Sequence, residues 1–426
     1  MTSTKFRSLL VTEWRQFRRV SIDFSPSVTI LTGRNGTGKT TLLNILAQHS
    51  SYHTEFLSSP PRPRDKLGRF TSGVWLWLGV ASSSSDTHDI GEIVYWDDQQ
   101  SRIQVNHRVD VHFSPTLTPA VSVSVLNIPS HRRLPPYKKV EFIPTAPITR
   151  ELALQNYQKD FWGGVRGDIA RPNPLTKMKE ALISMAAFGP GNERVQPNFE
   201  SFSAFEEFEK RLRQIIPKNI GFRRIVVQIP DVIIETDSGR FLIDASSGGL
   251  MSLIDITWQI TLFGRSEGEF VVLIDEPENH LHPSMQREIL PALTRAFPEA
   301  QFIIATHSPF IVSSVRDAKV YVFDVDDRPT VPEAIAEDLS SERNSVVALP
   351  IDISDHTSAS AVLREALGVP ISVPIWAEEE LQAVLDKYRG KDLTPNIVRD
   401  IHSDLSERGL SDFFPELVAR AAGQDA

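Results

Sequence analysis

The sequence predicts an α/β protein: a mixed sheet flanked by helices, an α+β arm inserted into it, and a helical extension at the C-terminus. Three observations lead there. Apolar runs at Val28 to Thr32, Phe270 to Ile274 and Phe302 to Ala305 are unbroken, the mark of strands buried on both faces of a parallel sheet. Helical runs at Thr41 to Gln48 and Leu250 to Phe263 alternate with them. The long stretch between the first strand and the other two changes repeatedly between strand-like and helix-like patterns, so it reads as a folded insertion.

Composition bounds the function. A chain of 426 residues, 41% apolar and 23% charged, is ordinary for a globular protein of roughly two or three structural units. No cysteine is present, which excludes disulfides, cysteine-metal sites and thiol nucleophiles. The formal net charge of −9 means that nucleic-acid contact, if any, must come from local basic patches. No run approaches the roughly 18 apolar residues of a membrane span, and the first residues lack the apolar core of a secretory signal. A cytoplasmic protein without membrane contact is expected.

In chain order, the strand Val28 to Thr32 runs into Gly33-Arg34-Asn35-Gly36-Thr37-Gly38-Lys39-Thr40, followed by Thr41 and a helix. This is the G-x-x-x-x-G-K-[ST] spacing. Glycines let backbone N–H groups wrap phosphate oxygens, and the helix N-terminus adds positive potential. Lys39 would reach the β- and γ-phosphates of a nucleotide, and the Thr40 hydroxyl would ligate Mg²⁺. The insertion follows. "GVWLWLGV", "GEIVYW" and "AVSVSVLNI" read as strands, and "PLTKMKEALISMAAF" and "FSAFEEFEKRLRQII" as amphipathic helices. "FRRIVVQI", "VIIETD" and "RFLIDA" read as returning strands. Two basic clusters, Arg62 to Arg69 and His131 to Lys139, either contact phosphate backbones or an acidic partner, or are solvated loops around prolines.

"DASSGGLMSL" then sets Ser247-Gly248-Gly249 directly before an apolar helix, as a linker or as a phosphate-binding loop. The strand Phe270 to Ile274 ends in Asp275-Glu276, two acids where an α/β sheet opens its ligand crevice. Asp275 can hold magnesium through water, and Glu276 can orient or deprotonate an attacking water. His307 closes the third strand after Thr306, where it can sense a γ-phosphate. "AKVYVF", Ala318 to Phe323, supplies one more core strand, and Asp324 to Asp327 reads as an acidic turn. Beyond it, "SASAVLREALG", "EEELQAVLDKYRG" and "TPNIVRDIHSDLSERG" read as helices, the last opening with Thr394 as N-cap and Pro395 at its first position. Residues 351–426 carry 14 Asp and Glu against 7 Lys and Arg, which argues against DNA binding by the tail. These helices either cap the core or assemble an oligomer or dock an effector.

The motif order resembles the ABC-type P-loop ATPases, and "IDEPENHLHP" with "ATHSPFIVSSV" resembles their OLD-like branch. The resemblance is close over about residues 5–50 and 240–325 and loose between. It implies an ABC-type P-loop NTPase core using ATP and Mg²⁺, with Gly33 to Thr41 on the triphosphate, Asp275 as Walker B acid, Glu276 as catalytic base and His307 as switch histidine. Ser247-Gly248-Gly249 would be the signature that reaches across a dimer to the partner's nucleotide. Leu250 stands where many members have Gln, and Gln155 and Gln158 are weak candidates for the Q-loop. The expected organisation is 1–150 as ATPase lobe with a β-rich insertion, 151–240 as arm, 241–325 as core, and 326–426 as helical extension. OLD nucleases continue into a TOPRIM domain that has no counterpart here, so no nuclease activity of this chain is expected. Length, arm and tail resemble the ATPase subunits of PARIS anti-phage defence systems. That implies a homo-oligomer that holds a separate TOPRIM-like toxin nuclease and releases it on sensing a phage trigger protein. Two alternatives stand beside this: a RecF-like ATPase of DNA repair, and an ATPase partnered with an HNH nuclease or a retron effector.

Overall fold

The computed structural model describes residues 4–57, 87–106, 112–132, 136–142, 147–167, 173–191, 193, 195–264, 268–326, 345–351, 375–388, 394–414 and 418. Two compact units are formed, Met1–Gly368 and Val369–Ala426.

The first unit begins with β1 (Phe6–Trp14), β2 (Phe17–Asp23), β3 (Val28–Gly33) and α1 (Lys39–Leu46). The insertion opens with β4 (Phe56–Leu57), β5 (Thr87–Tyr95), β6 (Gln100–Asn106), β7 (His112–Phe113), β8 (Thr116–Thr118) and β9 (Val125–Ile128). Then come α2 (Arg150–Val165), α3 (Pro174–Phe188), α4 (Phe199–Ile215) and the hairpin strands β10 (Phe222–Gln228), β11 (Asp231–Thr236) and β12 (Gly239–Leu242). The chain returns through α5 (Gly248–Phe263), β13 (Phe270–Asp275), α6 (Pro283–Ala296), β14 (Ala300–Ala305), α7 (Pro309–Val312), β15 (Lys319–Asp326) and β16 (Ser345–Ile351).

One sheet of 11 strands organises this unit, in the order β8-β6-β5-β1-β2-β16-β15-β3-β14-β13-β9. Strands β15, β3, β14, β13 and β9 are mutually parallel, whereas β1, β2, β5, β6 and β8 pair antiparallel. The apolar runs behave as parallel strands must: every residue of β3, β13 and β14 is buried. Alternate side chains go to opposite faces. Leu31, Leu273 and Ile303 join a core that reaches into the antiparallel lobe, and Ile30, Val272, Ile274 and Ile304 join one built on α5 and α6. Fold class is therefore as the sequence predicts, α/β with a mixed sheet flanked by helices.

The arm has its own core of Trp162, Phe208, Trp258 and the β10–β12 hairpin. Helix α5 lies between the two, giving Leu253, Ile256 and Ile260 to the sheet and Leu250, Met251, Ile254, Trp258 and Leu262 to the arm. A helix buried nearly all round is stable only in such a doubly covered position. Leu250 is thus a core residue of the arm.

Several expectations are corrected. Asp324 to Asp326 form the end of β15 and not a turn, because they pair antiparallel with Ser345 to Val347 of β16. The tail is therefore not wholly helical: β16 lies in the main sheet, its backbone pairing with the edges of β15 and β2. Of "AVSVSVLNI" only Val125–Ile128 is strand, and "RFLIDA" leaves the sheet after Leu242 for a 3₁₀ turn at Ile243–Ala245. "GVWLWLGV", "SASAVLREALG", the cluster Arg62 to Arg69 and Asp327 lie outside the described residues.

The second unit contains α8 (Ile375–Tyr388) and α9 (Pro395–Glu407), packed through Leu381, Val384, Tyr388, Ile401 and Leu405. Thr394 caps α9 by accepting from the Ile397 N–H, with Pro395 following as expected. Among the described residues no helix is long and apolar enough to cross a membrane.

Candidate functional site: a phosphate cradle facing two acids

Strands β3, β14 and β13 lie side by side and end together, so the loop after β3, the His307 turn and the Asp275-Glu276 turn converge at one sheet edge. The Gly33–Gly38 loop is set by its glycines. Gly33, Gly36 and Gly38 all have positive φ, at 128°, 78° and 95°. A Cβ on Gly33 would also lie 2.2 Å from the Phe323 carbonyl oxygen of β15. Thr37 closes the loop by donating to the Arg34 carbonyl at 2.9 Å.

Lys39 opens α1 and is buried, its ammonium donating to the Gly33 and Arg34 carbonyls at 2.9 and 2.8 Å. Burial pulls its pKa down to about 8, against the attraction of Asp275, Glu276 and Glu278. Thr40 donates to Asp275 Oδ2 at 2.9 Å across the sheet. Burial lifts Asp275 to about 6; the Thr40 bond and Lys39 oppose this, and Glu276 and Glu278 add to it. A hydroxyl and a carboxylate oxygen joined in this way form the paired hard-oxygen set that Mg²⁺ takes beside a nucleotide, completing its shell with water and phosphate. Among the described residues no cluster of three acids or histidines could hold a metal unaided.

Glu276 begins the turn with a φ of 49°, unusual for a side-chain-bearing residue, and its N–H donates to the Ala305 carbonyl at 2.8 Å. Asn279 donates 3.0 Å to Glu276 Oε2 and 3.1 Å to the Ser130 carbonyl. Glu278 turns back under β14, where its Oε1 accepts from the Thr306 hydroxyl at 2.7 Å and the His307 N–H at 2.8 Å. The His307 ring meets the Gly33 carbonyl, and burial with the nearby Lys39 charge lowers its pKa, which favours the neutral imidazole.

Three residues escaped the sequence reading. Glu278 and Asn279 were visible only as polar letters within "DEPENHLHP". Arg132 was counted in a basic cluster, yet it is buried: it donates to the Glu276 carbonyl at 2.8 Å and the Asp275 carbonyl at 3.4 Å. It is therefore unable to contact a phosphate backbone, a correction to its place in His131 to Lys139; His131, Lys138 and Lys139 are exposed. The only signal was position, since it follows β9, the strand beside β13. Gln155 and Gln158 sit on α2, and the contacts made to the acidic turn from beside β13 come from Ser130 and Arg132.

Ser247 is the N-cap of α5, its Oγ accepting from the Leu250 N–H at 3.4 Å, so Gly248 and Gly249 are the first turn of the helix and not a linker. A Cβ on Gly249 would meet the His280 carbonyl at 3.0 Å. The loop thus packs on the segment after the acidic turn; the hydrogen bonds of the Gly33–Lys39 loop are made elsewhere.

Cradle, acids and neighbouring histidine at the ends of parallel strands have the arrangement of a P-loop phosphate-binding site. Parts of the chain match known proteins. Residues 8–54 match the family "AAA domain", and residues 259–313 match "AAA domain, putative AbiEii toxin, Type IV TA system". The chain is similar to the Septu protein PtuA of Bacillus mycoides (strain KBAB4), 29% identical over 178 residues, covering 42% of this chain and 23% of that protein. It is also similar to the "Retron Ec83 probable ATPase" of Escherichia coli, 30% identical over 132 residues, covering 28% of this chain and 24% of that one. The chain thus spans about a quarter of the length of these relatives. Among solved structures, the SMC head domain from Thermotoga maritima is 10% identical, with 82% of this chain and 99% of that chain covered at a TM-score of 0.40.

Proposed function

We propose that this chain hydrolyses ATP and acts as the ATP-driven switch of an anti-phage defence system, controlling a separate effector nuclease. The observation that carries the first half is the Thr40–Asp275 hydrogen bond, which joins the phosphate loop to the acidic strand although 235 residues separate them. The second half is supported by the likeness to Septu and retron proteins.

In this reading the Gly33–Thr41 backbone, including Arg34, Asn35 and Thr37, cradles the triphosphate, and Lys39 leaves the Gly33 and Arg34 carbonyls for the β- and γ-phosphates. Thr40 and Asp275 would hold Mg²⁺, which supplies charge neutralisation at the phosphates. Glu276, held by Asn279, aligns the attacking water and takes its proton. His307, fixed through Glu278, senses the γ-phosphate. Ser247, Gly248 and Gly249 present the N-terminus of α5 to the nucleotide of a second copy. Two protomers then enclose two ATP molecules, and ATP favours the closed pair by mass action.

The PARIS arrangement, a homo-oligomer holding a TOPRIM-like toxin until a phage protein appears, is one form of this switch. The retron and Septu likeness favours an effector from those systems. A RecF-like role on duplex DNA is weakened by the burial of Arg132. Expression with the neighbouring genes tests the proposal: Lys39→Ala is expected to abolish nucleotide binding and phage protection together, and protection retained without nucleotide binding would refute the switch.

A further inference from the structure

Helix α5 carries a buried polar stripe, Ser252, Asp255 and Gln259, in addition to the buried hydroxyls of Thr257 and Thr261. Asp255 Oδ1 accepts from the Tyr157 hydroxyl of α2 and from Gln259 Nε2 at 3.2 Å. Its other oxygen, Oδ2, is buried with no hydrogen-bond partner, and so is Arg132 Nε. Helix α5 packs on β9, the strand that Arg132 follows, Leu253 and Ile256 sharing a core with Leu126 and Ile128, and there Asp255 attracts Arg132 ahead of Glu278, Asp275 and Glu276. Burial raises the Asp255 pKa, against the Tyr157 bond and the Arg132 charge, and a buried carboxyl and guanidinium each with one position unsatisfied cost more than an apolar pair of the same volume. Packing therefore does not explain them.

Their placement does. Arg132 spends its two terminal nitrogens on the Pro129, Asp275 and Glu276 carbonyls, which holds the backbone from which the Glu276 side chain projects. Asp255 lies two helical turns into the helix whose first turn is Ser247-Gly248-Gly249, and that helix is packed as one element between sheet and arm. We propose that Arg132 and Asp255 are a positioning pair: engagement of the Ser247 loop shifts α5, Asp255 Oδ2 closes on Arg132 Nε, and the backbone of Glu276 is locked for hydrolysis. This rests on the two-chain reading of the ATP site. There, the Ser247 loop serves the partner's nucleotide and Glu276 the chain's own, so the pair makes each site respond to the other. Tyr157 brings the arm into the same linkage.

Asp255→Asn, Arg132→Lys and the double variant test it by steady-state hydrolysis and by nucleotide binding. Each single variant is expected to lose about tenfold or more in kcat, with nucleotide affinity within about threefold of wild type. The Hill coefficient for ATP should fall to 1 from a wild-type value above it. The double variant should be no worse than the worse single, as for groups acting as a unit. Wild-type kcat and Hill coefficient in Asp255→Asn, or single losses that multiply in the double, would overturn the pair. Should Asp255→Asn fail to fold, Arg132→Lys decides alone: it retains charge but not the fork, so unchanged kcat refutes the role. The native mass of Glu276→Gln with ATP separates the two levels. If that variant pairs while the Asp255 and Arg132 variants behave as wild type, only the coupling falls; if it does not pair, both fall.

Discussion

At the scale of single residues, the site places charge where burial opposes it. Asp275 titrates near 6 rather than in the usual carboxylate range, so above that pH the folded protein holds an ionised buried carboxylate; below it the group is mostly neutral. A shift of about 2 pH units corresponds to roughly 3 kcal/mol of lost stability, fully felt above the folded value and relieved as pH falls toward 4. Asp275→Asn is therefore expected to raise the melting temperature by a few degrees at pH 7.5 and by less at pH 5, and to abolish hydrolysis; calorimetry at the two pH values checks it. Glu276→Gln should instead bind ATP normally and hydrolyse it about a hundredfold or more slowly, read by phosphate release. The loop, Asp275, Glu276 and His307 were legible because their chemistry needs fixed neighbours in sequence. Arg132 was not: its partners lie 143 and 144 residues away, and beside Arg133 and two prolines it reads as solvated charge.

At the scale of elements, the glycines of the loop do different jobs, and the structure ranks them. Gly33 abuts the backbone of β15, so Gly33→Ala forces two central strands apart and should cost on the order of 3 kcal/mol or more, or prevent folding. Gly36 faces open space, so Gly36→Ala meets only its positive φ and should cost about 1 kcal/mol. Urea unfolding of both variants tests the order. Ser247→Ala removes the cap of α5, at about 1 kcal/mol, with a larger effect expected on hydrolysis than on stability. The parallel strands were readable because burial on both faces leaves an unbroken apolar run. β16 was not readable: its strand character rests on pairing with β15 and β2, and Asp324 to Asp326 resemble a turn until those partners are present.

At the scale of the whole molecule, one sheet carries the phosphate loop, both acids and His307, while α5 presents Ser247-Gly248-Gly249 against the segment at His280. In the proposed reading these are two separate phosphate-binding elements, each serving a different nucleotide of a symmetric pair. Light scattering on Glu276→Gln tests this most directly, with and without ATP and Mg²⁺. The account predicts that ATP raises the measured mass from that of the free form to a pair of 47.7 kDa chains or a multiple of it, and that Ser247→Arg in the same background blocks the rise. A mass that ATP leaves unchanged would contradict the composite site.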